Sequence, residues 1–143
     1  MIDKILFAVE DNRDRMVPLA SHAAEMAGAL DADVVLIHVY GREEFEEYLD
    51  RMDYDSSDPD DVARRHEVVE ACASEFADRG VRPDVVGETG DPAAEITDRV
   101  ETDGIDHVVL GGRRRAPVTK AVTGSVSGSV LRSVDVPCTI GME

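Results

Sequence analysis

The chain has 143 residues, with 31 Asp or Glu against 15 Lys or Arg and a formal net charge of −16. That length suits one domain, 1–143, with a proper core, and that charge excludes indiscriminate nucleic-acid binding because phosphates repel an acidic surface. Cys72 and Cys138 are too few for a disulfide framework and lack metal spacing, and no apolar run approaches the ~18 residues of a membrane span. No signal peptide is read before the first apolar run, so a cytoplasmic protein with two reduced, buried thiols is expected. Acid in excess, with Lys4 and Lys120 as the only lysines and few aromatics, resembles the halophilic composition of proteins from salt-accumulating cells.

Lys4 to Val9 (KILFAV) is a short apolar run bounded by charge, which predicts a central strand buried on both faces. Glu10-Asp11-Asn12 ends it. Met16, Leu19, Ala20, Ala23, Ala27 and Leu30 then recur at helical spacing, with Asn12 or Asp14 as the cap and Pro18 tolerated in the first turn. Asp31-Ala32-Asp33 is a short connection, and Val34 to Val39 (VVLIHV) predicts a second buried strand.

The stretch 41–61 is an acidic insertion between strand two and helix two. Phe45, Tyr48, Leu49 and Met52 would form one face of a short helix, and Ser56 to Pro59 reads as loop. A solvated insertion is the plain reading; a flap over a site or a partner contact is the functional one. Val62 to Arg79 predicts a second long helix with Val62, His66, Val69, Ala73 and Phe76 in phase, ended by Gly80. Arg82 to Gly87 is a third strand. Asp91-Pro92 opens a third long helix with Ala93, Ile96 and Val100 inward, and Gly104 closes it. His107 to Leu110 is strand four, broken by Gly111-Gly112; Gly124 to Ser133 is a helix with Val126, Val130 and Leu131 on one side; Val136 to Ile140 is strand five.

Strands alternating with helices predict an α/β fold, a five-stranded parallel sheet with helices on both faces. Ligands of such sheets sit beyond the carboxyl ends of the strands, where strand order reverses. Those ends are Val9-Glu10, Val39-Tyr40, Gly87 and Gly111, and strands one and four flank the reversal. Charge points to the same place. From His107 to Val134 there is no Asp or Glu, where the chain's average would place roughly six. Gly111-Gly112, then Arg113, Arg114, Arg115 and Lys120, then the helix start at Gly124-Ser125, form a phosphate-binding design: helix N–H groups carry partial positive charge, and glycine admits an anion to the backbone. A buried strand accounts for acid missing from Val108 to Leu110, but not from a loop of Arg and Lys.

Other chemistry is sparse. His22, His38, His66 and His107 include no pair at metal spacing of i, i+4, and His38 reads as a hydrogen-bonded core residue. There is no G-x-S-x-G elbow and no G-x4-G-K-[S/T] loop. Ser125 and Ser127 read as helix-cap and phosphate donors rather than nucleophiles, since no base is identifiable nearby. Asp11 is a candidate Mg²⁺ ligand should nucleotide bind.

The opening strand ending in an acid, the Ile37-His38-Val39 strand, Gly90-Asp91-Pro92-Ala93 and the block VVLGGRRRAPVTKAVTGSVSGSVLRSVDVPCTI resemble the universal stress protein family over nearly the whole chain. Its nucleotide-binding members carry G-x2-G-x9-G-[S/T]. Gly111 takes the first glycine, Arg114 stands at the second, and Gly124-Ser125-Val126-Ser127 matches the end. The resemblance implies a Rossmann-like, adenine-nucleotide-hydrolase-like sheet of order 3-2-1-4-5. It also implies ATP, with Mg²⁺ as a candidate companion. Ala8, Val9 and Glu10 would form the strand-one edge, with Glu10 on the ribose where the family has Asp. Val39 would meet adenine through its backbone, and Gly111, Arg113, Arg114, Gly124, Ser125, Val126 and Ser127 would hold the phosphates. Finally, it implies a homodimer through strand five, 136–140, an edge that Pro137 limits because it donates no N–H.

Arg114 leaves two outcomes. Pointing outward, it pairs with phosphate oxygens; pointing inward, it fills the pocket. The first gives a cytoplasmic adenine-nucleotide switch or sensor in stress response, at most a slow ATPase. The second gives a dimeric stress-response interaction module that binds no nucleotide and whose 41–61 segment meets an unknown protein partner. An adenine-nucleotide enzyme is a third reading, without an identifiable catalytic pair. None calls for a membrane or nucleic acid.

Overall fold

The structure, a computed structural model, describes residues 1–52, 57–112 and 125–142. Strands β1 (Lys4–Ala8), β2 (Asp33–Tyr40), β3 (Asp84–Thr89), β4 (His107–Gly112) and β5 (Cys138–Met142) form one sheet in the order β3-β2-β1-β4-β5. Every pairing is parallel. The helices are α1 (Arg13–Leu30), α2 (Arg42–Met52), α3 (Pro59–Arg64), α4 (Glu67–Ala77), α5 (Pro92–Thr102) and α6 (Ser125–Ser133). Order reverses between β1 and β4, as expected.

The apolar runs are strands because both of their faces are covered. Ile5, Phe7, Val34, Leu36 and Val109 pack with α1 and α4 residues such as Met16, Ala23 and Phe76. Leu6, Ala8, Val35, Ile37, Val108 and Leu110 pack on the other face with Ile96 and Val100 of α5 and Val130 of α6. Continuous apolar sequence is what a doubly covered parallel strand requires.

Several boundaries differ from the sequence reading. Gly111-Gly112 does not break strand four. Both residues lie in β4, paired with Gly141 and Met142 of β5, which itself starts later than expected. A parallel ladder uses backbone groups and needs no side chain there. The missing Cβ instead admits α1: at Gly111 it would lie 2.7 Å from Met16 Cε and 2.8 Å from Arg15 Cδ, and at Gly141 2.5 Å from Leu19 Cδ1.

The long helix over 62–79 is two helices. Arg65 and His66 N–H groups bond Val62 and Ala63 carbonyls at 3.1 Å, closing α3. His66 is extended, and its Nδ1 accepts the Val68 N–H at 3.1 Å, capping α4. Periodicity cannot show this break, because His66 stays buried on the same face. Gly80 does close the helix: its φ is +76°, and Val81 N–H reaches the Phe76 carbonyl at 3.0 Å. Leu30 and Met52, in phase with their apolar neighbours, are exposed. Pro18 lies in the second turn of α1, not the first. Cys72 is buried, and burial pushes its thiol to about 12, but Cys138 is only half-buried.

The described part of the acidic insertion is anchored rather than wholly solvated. Tyr40, Phe45 and Val62 form a small buried cluster with Tyr48 and Leu49 against it. The Asp60 carboxylate accepts the Gly87 N–H at 2.8 Å, so α3 sits on the outer strand β3.

Candidate functional site

A cavity of about 330 Å³ opens at the carboxyl ends of β1, β2 and β4. Ala8, Ile37, Val39 and Leu110 give it apolar walls, joined by Pro92 and Ile96 of α5 and Val126 of α6. Val9, Glu10, Gly111, Gly112 and Ser127 complete the strand-end side. Thus Ala8, Val9, Glu10, Val39, Gly111, Val126 and Ser127, predicted from sequence, meet in one hollow. Ser125 begins α6. Arg113, Arg114 and Gly124 lie outside the described residues. A larger hollow of about 610 Å³, lined by Val69, Ala73, Val81 and Val85, lies at the amino end of β3, away from the order reversal.

The sequence reading missed Arg15. Asn12 caps α1 by accepting the Arg15 N–H at 3.1 Å, which places Arg15 in the first helical turn. From there its side chain, 8% exposed, crosses to the cavity and pairs with the Glu10 carboxylate at 2.5 Å. Glu10 itself is 38% exposed. A first-turn position usually takes an acid, so helix rules give no signal for this arginine. His38 and Glu44 also line the cavity and were likewise not assigned to it; Asp11, the candidate Mg²⁺ ligand, lines it too.

Ser127 is tied down. Its buried hydroxyl donates to the Gly111 carbonyl at 2.6 Å, joining α6 to β4. The proton expected for a phosphate is spent on backbone in this arrangement, so Ser127 meets a phosphate as a donor only if that proton turns away from Gly111.

Behind the wall, His38 Nδ1 lies 2.7 Å from the Val9 carbonyl. A carbonyl only accepts, so Nδ1 carries the proton. His38 is a hydrogen-bonded core residue, as expected. Its ring lies 4.5 Å from that of His66, centroid to centroid. His66 Nδ1 is an acceptor, and its Nε2 lies 3.7 Å from an Asp11 carboxylate oxygen. Burial lowers both imidazole pKa values, and for His66 the neighbouring His38 lowers it further, despite the opposing pull of Asp11. Among the described residues, no three His, Cys, Asp or Glu converge as a metal site, and no helix is long and apolar enough to cross a membrane.

Comparison with known proteins agrees with this architecture. Residues 1–140 match the universal stress protein family. No curated protein matches the chain. Among solved structures, a universal stress protein from Archaeoglobus fulgidus is similar at 22% identity and a TM-score of 0.72, covering 98% of each chain. The universal stress protein from Archaeoglobus fulgidus in complex with dAMP is similar at 19% identity and a TM-score of 0.69, covering 98% of each chain. A universal stress protein in complex with cAMP is similar at 14% identity and a TM-score of 0.67, covering 97% of this chain and 95% of its own. The likeness to these structures is one of fold; the match along residues 1–140, on a sheet of order β3-β2-β1-β4-β5, places the chain in the universal stress protein family.

Proposed function

We propose that this protein binds an adenine nucleotide in the strand-end cavity and acts as a nucleotide-dependent switch. One observation carries this reading: apolar walls and a strand-end carboxylate share a single hollow at the reversal of strand order. Ile37, Val39 and Ile96 suit a flat base, and Glu10 suits a ribose. Gly111 and the start of α6 lie where phosphates would profit from helix N–H groups. Arg113 and Arg114 follow Gly112 directly in sequence and would add charge. Relatives of the same fold are described with dAMP and cAMP. ATP is the expected ligand; Asp11, on the cavity wall, is the carboxylate that would meet its Mg²⁺.

The test is a calorimetric titration with ATP and Mg²⁺, and with AMP, in molar KCl, which screens the −16 charge. Saturable binding of one nucleotide per chain supports the proposal. A folded protein that takes up neither ligand at two temperatures overturns it and leaves the interaction module. A homodimer is proposed with it, because β5 pairs only with β4 among the described strands and so ends the described sheet. Sedimentation showing a monomer at micromolar concentration in high salt would reject that dimer.

A further inference from the structure

Arg15 breaks a local rule. It stands in the first turn of α1, beside the partial positive charge of the helix start, where acids are favoured. Its side chain is nearly buried, and a buried guanidinium is costly unless paired. The surrounding structure nevertheless makes room for it. Gly111 lacks the Cβ that would lie 2.8 Å from Arg15 Cδ, so the arginine stem rests on the end of β4. The guanidinium then meets Glu10, just beyond the end of β1, through Oε2 at 2.5 Å. Among the described residues lining the cavity, Arg15 is the one Arg or Lys against Glu10, Asp11 and Glu44. Local propensity does not explain that placement; the cavity does.

Glu10 needs such a restraint. At 38% exposed and with a flexible stem, a lone glutamate at a cavity mouth would sample many rotamers and lose that freedom on binding. The ion pair with Arg15 occupies Oε2 and removes most of this freedom beforehand. Oε1 remains to accept hydrogen bonds from a ligand. An ionised carboxylate is acceptor-only, so it selects hydroxyl donors and repels further anions.

We propose that Arg15 is a positioning residue that holds Glu10 to read the ribose diol, making the cavity selective for ribonucleotides over nucleotides without ribose hydroxyls. This rests on the adenine-nucleotide reading above. A sugar presenting both hydroxyls gains what a dideoxy sugar cannot.

The experiment compares AMP with 2′,3′-dideoxy-AMP by calorimetry in molar KCl, on the full chain and on Arg15→Gln and Arg15→Lys. The unaltered chain should favour AMP by about tenfold or more, the scale of a hydrogen bond to a charged group. Arg15→Gln should bring the ratio of the two affinities near one. Arg15→Lys keeps the charge but not the fork, and should give an intermediate ratio. A merely structural arginine would weaken both ligands equally and leave the ratio alone, and that result overturns the proposal. If Arg15→Gln does not fold, Arg15→Lys decides: an unchanged ratio sinks the idea. Equal affinity of the unaltered chain for both ligands overturns this inference and spares the nucleotide reading. No binding of either overturns both.

Discussion

The Ser127 hydroxyl donates to the Gly111 carbonyl at 2.6 Å, so the start of α6 is fastened to the end of β4 at the rim of the cavity. Removing it leaves a buried carbonyl short of a partner. Ser127→Ala should cost about 1 kcal/mol, or roughly 3 °C in Tm for a chain of this size. Thermal unfolding followed by circular dichroism measures this. An unchanged Tm would show that the bond contributes nothing net.

Gly87 and Pro59 fit only because position 87 has no side chain. A Cβ there would lie 2.0 Å from the Pro59 carbonyl oxygen, which is backbone and cannot swing aside. Gly87→Ala should therefore lift α3 from β3, break the Asp60 contact to the Gly87 N–H, and cost about 3 kcal/mol. Chemical denaturation tests it; a loss under about 1 kcal/mol would mean α3 adapts freely.

Asp31 closes α1 at φ +52°, in the left-handed region, with Ala32 N–H bonded to the Ala27 carbonyl at 3.0 Å. Glycine takes that conformation without the Cβ clash. Asp31→Gly should stabilise the protein by about 1 kcal/mol. A lower denaturation midpoint in the variant would mean the carboxylate has a role that outweighs backbone strain.

His66 should make stability fall in mild acid. Burial and His38 hold its pKa below the ordinary 6.5, so between that lowered value and about 6.5 the unfolded chain binds more protons. Stability from neutral His66 is full above about 6.5 and is lost as pH falls toward the folded value. Protonating Nδ1 also removes the acceptor for Val68 N–H. His38 and His107, lowered by burial, act in the same direction. His66→Asn keeps a capping side chain and removes one titration. Its Tm should fall less than the parent's between pH 7 and pH 5; parallel curves would contradict this.

Changing Arg113, Arg114 and Arg115 together to Ala should remove the phosphate-dependent part of nucleotide affinity. ATP should weaken by about a hundredfold while adenosine changes little. ATP binding unchanged in that variant would separate these arginines from the phosphates.

Features that lie along one element are legible in the residues. Apolar runs such as KILFAV and VVLIHV marked doubly covered strands, because burial on both faces leaves little room for polar side chains. Asp91 marked one helix start and the pair Asn12 or Asp14 another, because capping is local chemistry; the structure chose Asn12. The strand ends Val9-Glu10, Val39 and Gly111 meet at one hollow, since parallel strands all present their carboxyl ends on one side. What meets across elements depends on packing. The pairing of Arg15 with Glu10 depends on how deeply α1 settles on Gly111, and no periodicity encodes that depth. His66 capping α4, Asp60 holding β3 and Ser127 spending its proton on Gly111 likewise join atoms placed by other elements or by a break that burial conceals. Helical phase and strand alternation report which face is buried; packing depth and register choose the partner.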